Sequence, residues 1–404
     1  MKKGFLAVGH LPTLAASFFY FDMSFMVWVL LGPLGVQIAR DLSLSPAQKG
    51  LMVAVPVLSG AAFRIVAGIM VDKLRPKLTG IILQCVVIAS LLSAWFFGVT
   101  TYSGVIAVGI ALGVAGASFA VALPMASQWY PPEHQGTALG IAGAGNSGTV
   151  FAALFAPILA VYFGWNNVLG LATIPLFVAL ATFIVFARNC DKAPAPQKLV
   201  DYLRVLKISD AWWLMFIYSV TFGGFVGLAS SLTIYFSDTY GLSPVTAGYF
   251  TAACVFAGSM VRPLGGAFAD KVGGVFSLSI MLGVAACALG LISLGIWSAP
   301  MALAIFVVAM LALGAGNGAV FQLVPQRFSR EIGVLTGLVG MAGGVGGFYL
   351  ASSLGIAKQI TGAYGPGFLI FAGLAAVALV AITSLKNRWR STWRAATGVT
   401  EARI

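Results

Sequence analysis

Residues 44–73, LSPAQKGLMVAVPVLSGAAFRIVAGIMVDK, recur without a gap as residues 242–271, LSPVTAGYFTAACVFAGSMVRPLGGAFADK. Both copies hold Leu-Ser-Pro, a Gly four residues past the Pro, an Arg fourteen residues beyond that Gly, and a closing Asp-Lys. Ser45 and Ser243 read as N-caps, Pro46 and Pro244 as first helical residues, and the apolar run behind each predicts a membrane-crossing helix. Arg64 stands eight residues before Asp72, and Arg262 eight before Asp270. Each guanidinium therefore starts roughly 12 Å inside the helix end. In a hydrocarbon core about 30 Å thick that is near the midplane.

An arginine at that depth costs between about 3 and 10 kcal/mol unless it meets protein, water or an anion. Snorkelling to the interface, or pairing with a structural carboxylate, would relieve one such residue. Duplication at matched depth argues against that reading. Gly60 and Gly68 lie four residues either side of Arg64, and Gly258 and Gly266 likewise flank Arg262. Each Arg thus shares a helix face with small residues, which mark helix contacts in membranes, and should point into a bundle.

Composition excludes a soluble globule: 60% of residues are hydrophobic, 8% are charged, and the mean hydropathy is +0.98. The net charge of +12 invites a nucleic-acid partner, but the placement of the charges speaks against one. Of the 23 Lys and Arg, three (Arg40, Lys49, Lys358) fall on one side, two in the membrane, and the other 18 in tails and loops of the opposite side. By the positive-inside rule that basic side is cytoplasmic and holds both termini. The four cysteines, Cys85, Cys190, Cys254 and Cys287, are scattered without disulfide or metal-ligand spacing and read as packing residues. No cleavable signal peptide is evident, so the first apolar segment, near residues 14–37, should remain as the first span.

That first span carries Asp22, the only acidic residue placed inside the hydrocarbon. A fixed salt bridge, a helix-cap partnership and a proton-coupling role are all open to it. The fourth span is rich in Gly and Ala and holds Phe119 and Pro124 near its inner half; in the segment after it, SQWYPPEHQG, His134 reads as a loop residue rather than a catalyst. In the fifth span, TALGIAGAGNSGTVFAALFAP (137–157), Gly140, Gly143, Gly145 and Gly148 surround Asn146. Such a run packs helices closely, and it also lets them slide and exposes backbone to a ligand. It recurs in the eleventh span as TGLVGMAGGVGGFY (336–349), with Gly340, Gly343, Gly344 and Gly347, where Val345 replaces Asn146. In the seventh span Tyr218 and Phe222 stand at i and i+4 on one face, as core residues or ligand contacts.

The expected fold is all-α, with twelve transmembrane helices in two pseudosymmetric six-helix halves. The halves span residues 1–188 and 210–386, joined by a polar, Ala-Pro-Ala-Pro-containing cytoplasmic linker at 189–209 and followed by a basic tail at 387–404. Parallel repeats of this kind are the major-facilitator pattern of transporters. Arginines from equivalent helices of the two halves would meet across a central cavity, where a planar oxyanion matches the guanidinium fork.

The segments SFMVWVLLGPLG, LSPAQKGLMVAVP with its Arg64, AGAGNSGTVFAALFAP and GLVGMAGGVGG resemble the nitrate/nitrite porter family of the major facilitator superfamily, over essentially the whole chain. The resemblance implies a plasma-membrane carrier, bacterial inner membrane included, that holds nitrate between Arg64 and Arg262. It places Asn146, Tyr218, Phe119 and Phe222 around the ion and gives the glycines of the fifth and eleventh spans to gating. The family contains nitrate/proton symporters and nitrate/nitrite antiporters; Asp22 favours symport, with antiport or transport of another small anion as alternatives. The expected partners are nitrate or nitrite, a proton and the lipid bilayer, with no nucleic acid, no cofactor, no metal and a monomeric state. An enzyme would need a nucleophile, metal set or phosphate loop that two isolated histidines and unclustered carboxylates do not provide. A nitrate sensor would be marked by an appended signalling domain.

Overall fold

Both repeated helices begin at the serines and prolines the sequence marks. In the computed structural model, which describes residues 8–190, 204–328 and 332–397, Ser45 Oγ accepts from the Gln48 amide at 3.3 Å while Gln48 Oε1 accepts from the Ser45 amide at 2.9 Å. That is a capping box. Ser243 Oγ accepts from the Thr246 amide at 3.2 Å, and Pro46 and Pro244 open their helices.

The first half contains α1 (Leu11–Trp28), α2 (Gly35–Asp41), α3 (Pro46–Phe97), α4 (Tyr102–Gly116), α5 (Phe119–Ser127), α6 (Pro132–Gly143), α7 (Gly148–Phe163), α8 (Trp165–Leu171) and α9 (Thr173–Phe186). The second contains α10 (Ser209–Tyr240), α11 (Pro244–Met260), α12 (Arg262–Val272), α13 (Gly274–Ser293), α14 (Ala299–Arg327), α15 (Ile332–Thr361) and α16 (Gly365–Thr397). Among the described residues, ten helical stretches are long and apolar enough to cross a membrane. One of them, α3, is two spans: the backbone leaves the helix at Arg75 (φ 66°, ψ 157°), where Pro76 bars the helical conformation from the residue before it. Helix α1, continued by α2, supplies the remaining crossing of the twelve.

Several spans are less regular than the sequence suggests. The two repeated helices differ at their arginines: α3 runs through Arg64, whereas α11 stops at Met260 and Arg262 opens α12. Pro263, which stands where the first copy has Ile65, lacks an amide proton and crowds the carbonyl one turn back. The fourth span breaks between Gly116 and Phe119, and the fifth passes through a 3-10 turn, Ala144–Ser147. His134 lies in the first turn of α6 rather than in a loop, because Pro132 starts that helix. Of the cysteines only Cys254 is buried; Cys85 and Cys287 are exposed on the lipid-facing surface. Most of the expected linker lies outside the described residues, and α16 continues as helix to Thr397, past the expected start of the tail.

The halves meet where α3 packs on α15 and α7 on α11. Near the start of α3 and the end of α15 this seam is tight. A Cβ on Gly50 would lie 2.8 Å from Gly355 Cα, and Lys49 Nζ binds both oxygens of Asp238, at 3.0 and 2.9 Å. Tyr364 adds its hydroxyl to Asp238 at 2.9 Å. Deeper in the same seam, a Cβ on Gly344 would lie 2.7 Å from Ala61 Cβ and 3.1 Å from the Val57 carbonyl. Gly344→Leu is therefore expected to wedge the halves apart, at about 1–3 kcal/mol. A lower melting temperature in detergent and transport reduced at least tenfold would show it; unchanged values of both would contradict the close approach.

Candidate anion-binding site

Arg64, from the middle of α3, is 2% exposed, and Arg262, at the start of α12, is 8% exposed. Arg64 Nε donates to the Gly116 carbonyl at 3.1 Å, and its Nη1 donates to the Gly340 carbonyl. The first carbonyl is freed where α4 ends; the second belongs to the opposite half, so this guanidinium bridges the seam. Arg64 Nη2 and Arg262 Nη1 are buried with no hydrogen-bond partner. Among the described residues neither arginine forms an ion pair.

Aromatic rings wall the space between them. Arg64 Cζ lies 5.2 Å from the ring centroids of Trp28, Phe119 and Phe222, and Arg262 Cζ lies 5.8 Å from that of Phe321. Tyr218 stacks on Phe222 at 5.2 Å with an interplanar angle of 4°, and Phe321 sits 5.2 Å from Tyr218 and 6.3 Å from Phe119. The rings thus run continuously from one arginine to the other. The Tyr218 hydroxyl feels the field of both guanidiniums yet closes no hydrogen bond of ordinary geometry. Cation–π contacts return roughly 0.5–2 kcal/mol each, less than the several kcal/mol that burying an unpaired ion costs. Two buried guanidiniums with unpartnered N–H groups, in a neutral wall, leave two positive charges without a counter-charge among the described residues.

The glycines of the fifth and eleventh spans divide into three groups. A Cβ on Gly143 would lie 3.9 Å from Arg262 Cζ, and one on Gly340 3.7 Å from Arg64 Nη1, so each arginine faces a glycine of the other half. Gly145, Gly148, Gly343, Gly344 and Gly347 are in tight helix contact; a side chain on Gly148 would overlap the Asp22 carbonyl, and one on Gly343 would lie 2.7 Å from Phe222. Gly140 has open space around it.

Asn146 sits in the 3-10 turn, 1% exposed, with Oδ1 unpartnered and its carbonyl accepting from Thr149 Oγ1 at 2.7 Å. It makes no hydrogen bond to either guanidinium. Asp22 is 3% exposed and accepts from Ser147 Oγ at 2.7 Å and from the amide of Gly148, the first residue of α7. Among the described residues it pairs with no cation. Its carboxylate thus joins α1 to the segment bearing Asn146, through neutral donors only.

Sequence reasoning missed Trp28, Phe321 and the two carbonyls. Trp28 lies in a quoted segment, and its ring is held against Arg64 by a 2.7 Å bond from Nε1 to the Pro56 carbonyl. Phe321 lies four residues before Pro325, whereas Phe119 lies five before Pro124, so the two rings stand one position out of register.

Two six-helix halves that meet across a seam holding two buried guanidiniums have the architecture of a membrane transporter. A profile of the Major Facilitator Superfamily matches residues 14–351. The chain is 33% identical over 373 residues to a Mycobacterium tuberculosis protein named "Probable nitrate/nitrite transporter NarK2", covering 89% of this chain and 92% of that one. It is 32% identical over 363 residues to the "Nitrite extrusion protein" of Bacillus subtilis, covering 89% and 90%. Among solved structures, an inward-facing, occupied bacterial homolog of the human lysosomal transporter Spinster shares the fold, with a TM-score of 0.66, 18% identity and coverage of 93% and 96%. The chain belongs to the nitrate/nitrite porter family of the Major Facilitator Superfamily.

Proposed function

We propose that this protein carries nitrate, and nitrite, across the plasma membrane by alternating access, with one anion held between Arg64 and Arg262. The observation that carries the proposal is the pair of buried guanidinium N–H groups left without partners at the seam. A planar, weakly hydrated monovalent ion fits their fork geometry and slides between flat rings, whereas phosphate or sulfate would arrive with a larger hydration cost. The named relatives supply the ion. In this reading Tyr218 and Asn146 are the neutral polar groups around the ion, and Phe119, Phe222, Trp28 and Phe321 its walls. The basic end faces the cytoplasm, so the seam sealed by Lys49 and Asp238 is the outer gate.

Uptake is coupled to a proton, with Asp22 as its site. Bonded to Ser147 and the Gly148 amide and to no cation, Asp22 can change its protonation without breaking an ion pair, and it signals through Ser147 to the adjacent Asn146. The other buried carboxylate among the described residues, Asp210, is held by two guanidiniums and two indoles. A second reading, nitrate/nitrite exchange, is favoured by a separate observation: neither arginine bonds a titratable carboxylate that would have to load and unload during the cycle.

Labelled nitrate uptake into nitrite-free proteoliposomes tests both. With an inside-alkaline gradient of about one pH unit, electroneutral 1:1 symport drives accumulation toward about tenfold. Uptake only into vesicles preloaded with nitrite would replace symport by exchange. No uptake under either condition, together with no competition by nitrate for transport of other small anions, would refute the nitrate proposal itself.

A further inference from the structure

On the lipid-facing surface near the basic end, an open groove of about 520 Å³ runs between Trp213 of α10 and Val377, Val380, Ala381, Ser384 and Leu385 of α16. Its walls are apolar: Val377 and Val380 are 55% and 64% exposed, and Ser384 turns its hydroxyl back onto the Val380 carbonyl at 2.7 Å. The helix face formed by Val377, Ala381 and Ser384 continues at i+4 to Arg388, and the face of Trp213 leads one turn back to Ser209. Arg388 Nη2 donates to Ser209 Oγ at 3.1 Å, so both walls end at the same polar mouth.

The charges at that mouth do not balance. Asp210 accepts from Arg388 Nη2 at 2.6 Å and from Arg327 Nε at 2.9 Å, and the indole N–H groups of Trp389 and Trp393 complete its shell at 2.9 and 3.1 Å. Two guanidiniums share one carboxylate, which among the described residues leaves one positive charge in excess. The Arg388 side chain is 48% exposed, and close by in sequence Lys207 is exposed in the turn before α10 and Arg390 on α16. Basic pockets at the ends of transmembrane helices attract anionic headgroups. An apolar trough under a surplus cation has the polarity of a phospholipid, tail inward and phosphate at the mouth.

We infer that α10 and α16 form a binding site for one anionic phospholipid, its phosphate at Arg388 and Ser209 and an acyl chain along the Trp213–Val380 groove. The bound lipid closes the joint through which the last helix is fastened to the start of α10 and the end of α14.

The test compares the full-length wild type with Arg388→Gln, which removes the surplus charge while leaving Arg327 on Asp210, and with Ala381→Trp, which fills the groove while leaving the charges. After equal delipidation in detergent, native mass spectrometry and melting temperature are read with added phosphatidylglycerol, phosphatidylcholine or inorganic phosphate. The expected result is one phosphatidylglycerol retained by the wild type, retention at least fivefold lower in both variants, and a rise in melting temperature with phosphatidylglycerol in the wild type alone. Equal retention by the wild type and Ala381→Trp would overturn the groove. Equal effects of phosphatidylcholine would overturn the charge requirement, and full stabilisation by inorganic phosphate would reduce the site to a free-anion one.

Discussion

Arg64→Lys and Arg262→Lys are each expected to yield a folded, membrane-inserted protein that transports nitrate at less than a tenth of the wild-type rate. Lysine keeps the charge but loses the planar fork. At Arg64 the loss is compounded, because one guanidinium donates to Gly116 and Gly340 and still presents a free Nη2. An ammonium that holds either carbonyl cannot also offer the third donor in the same plane. Losing a charge-assisted contact in a dry site costs about 2–3 kcal/mol, or roughly 30- to 150-fold in affinity. Near-normal uptake by both variants would remove the paired-arginine site, and a loss confined to one would assign the ion to that arginine alone.

Asp22→Asn is expected to abolish gradient-driven accumulation, bringing the inside-to-outside nitrate ratio to its value without a pH gradient, while exchange of nitrate against nitrite continues. The substitution is close to isosteric. Its amide oxygen can still accept from Ser147 and the Gly148 amide, so the junction between α1 and α7 stays satisfied. What disappears is the capacity to carry a proton. Accumulation that persists in this variant would leave Asp22 as the partner of the α7 N-terminus and nothing more. Loss of exchange along with accumulation, with the protein still folded, would make it structural in the site rather than the proton carrier.

Much of this architecture is legible in the sequence because a membrane admits few solutions. The matched arginines, the Ser-Pro caps and the one-sided lysines each follow from the cost of charge and unsatisfied backbone in hydrocarbon. What stays hidden is local backbone geometry. The 3-10 turn under Asn146, the break before Phe119 and the break before Arg262 interrupt runs whose composition reads as continuous helix. Those interruptions set how Asn146, Phe119 and Arg262 are turned relative to the helices that bear them. The Asp22–Ser147 bond is illegible for a different reason: it joins residues 125 positions apart on helices whose rotation no periodicity fixes.

The glycine stretches show the same division between composition and geometry. Density alone marks close packing, and Gly148 and Gly344 lie in tight helix contact. It does not reveal that Gly143 and Gly340 each lie beside the arginine of the opposite half, an arrangement in which sliding of the fifth or eleventh span changes the room next to a guanidinium. Gly140, with no neighbour in range, marks where the same span faces open space.

The central claim is that one anion is shared by two arginines, and nitrate binding to purified protein across a double-mutant cycle tests it most directly. Calorimetric affinities would be compared for the wild type, Arg64→Lys, Arg262→Lys and the double variant. A single shared ion requires strong non-additivity: each single change weakens binding about 30-fold or more, and the double change adds little beyond either one. Fully additive losses, or a single variant that binds nitrate as tightly as the wild type, would contradict the shared site.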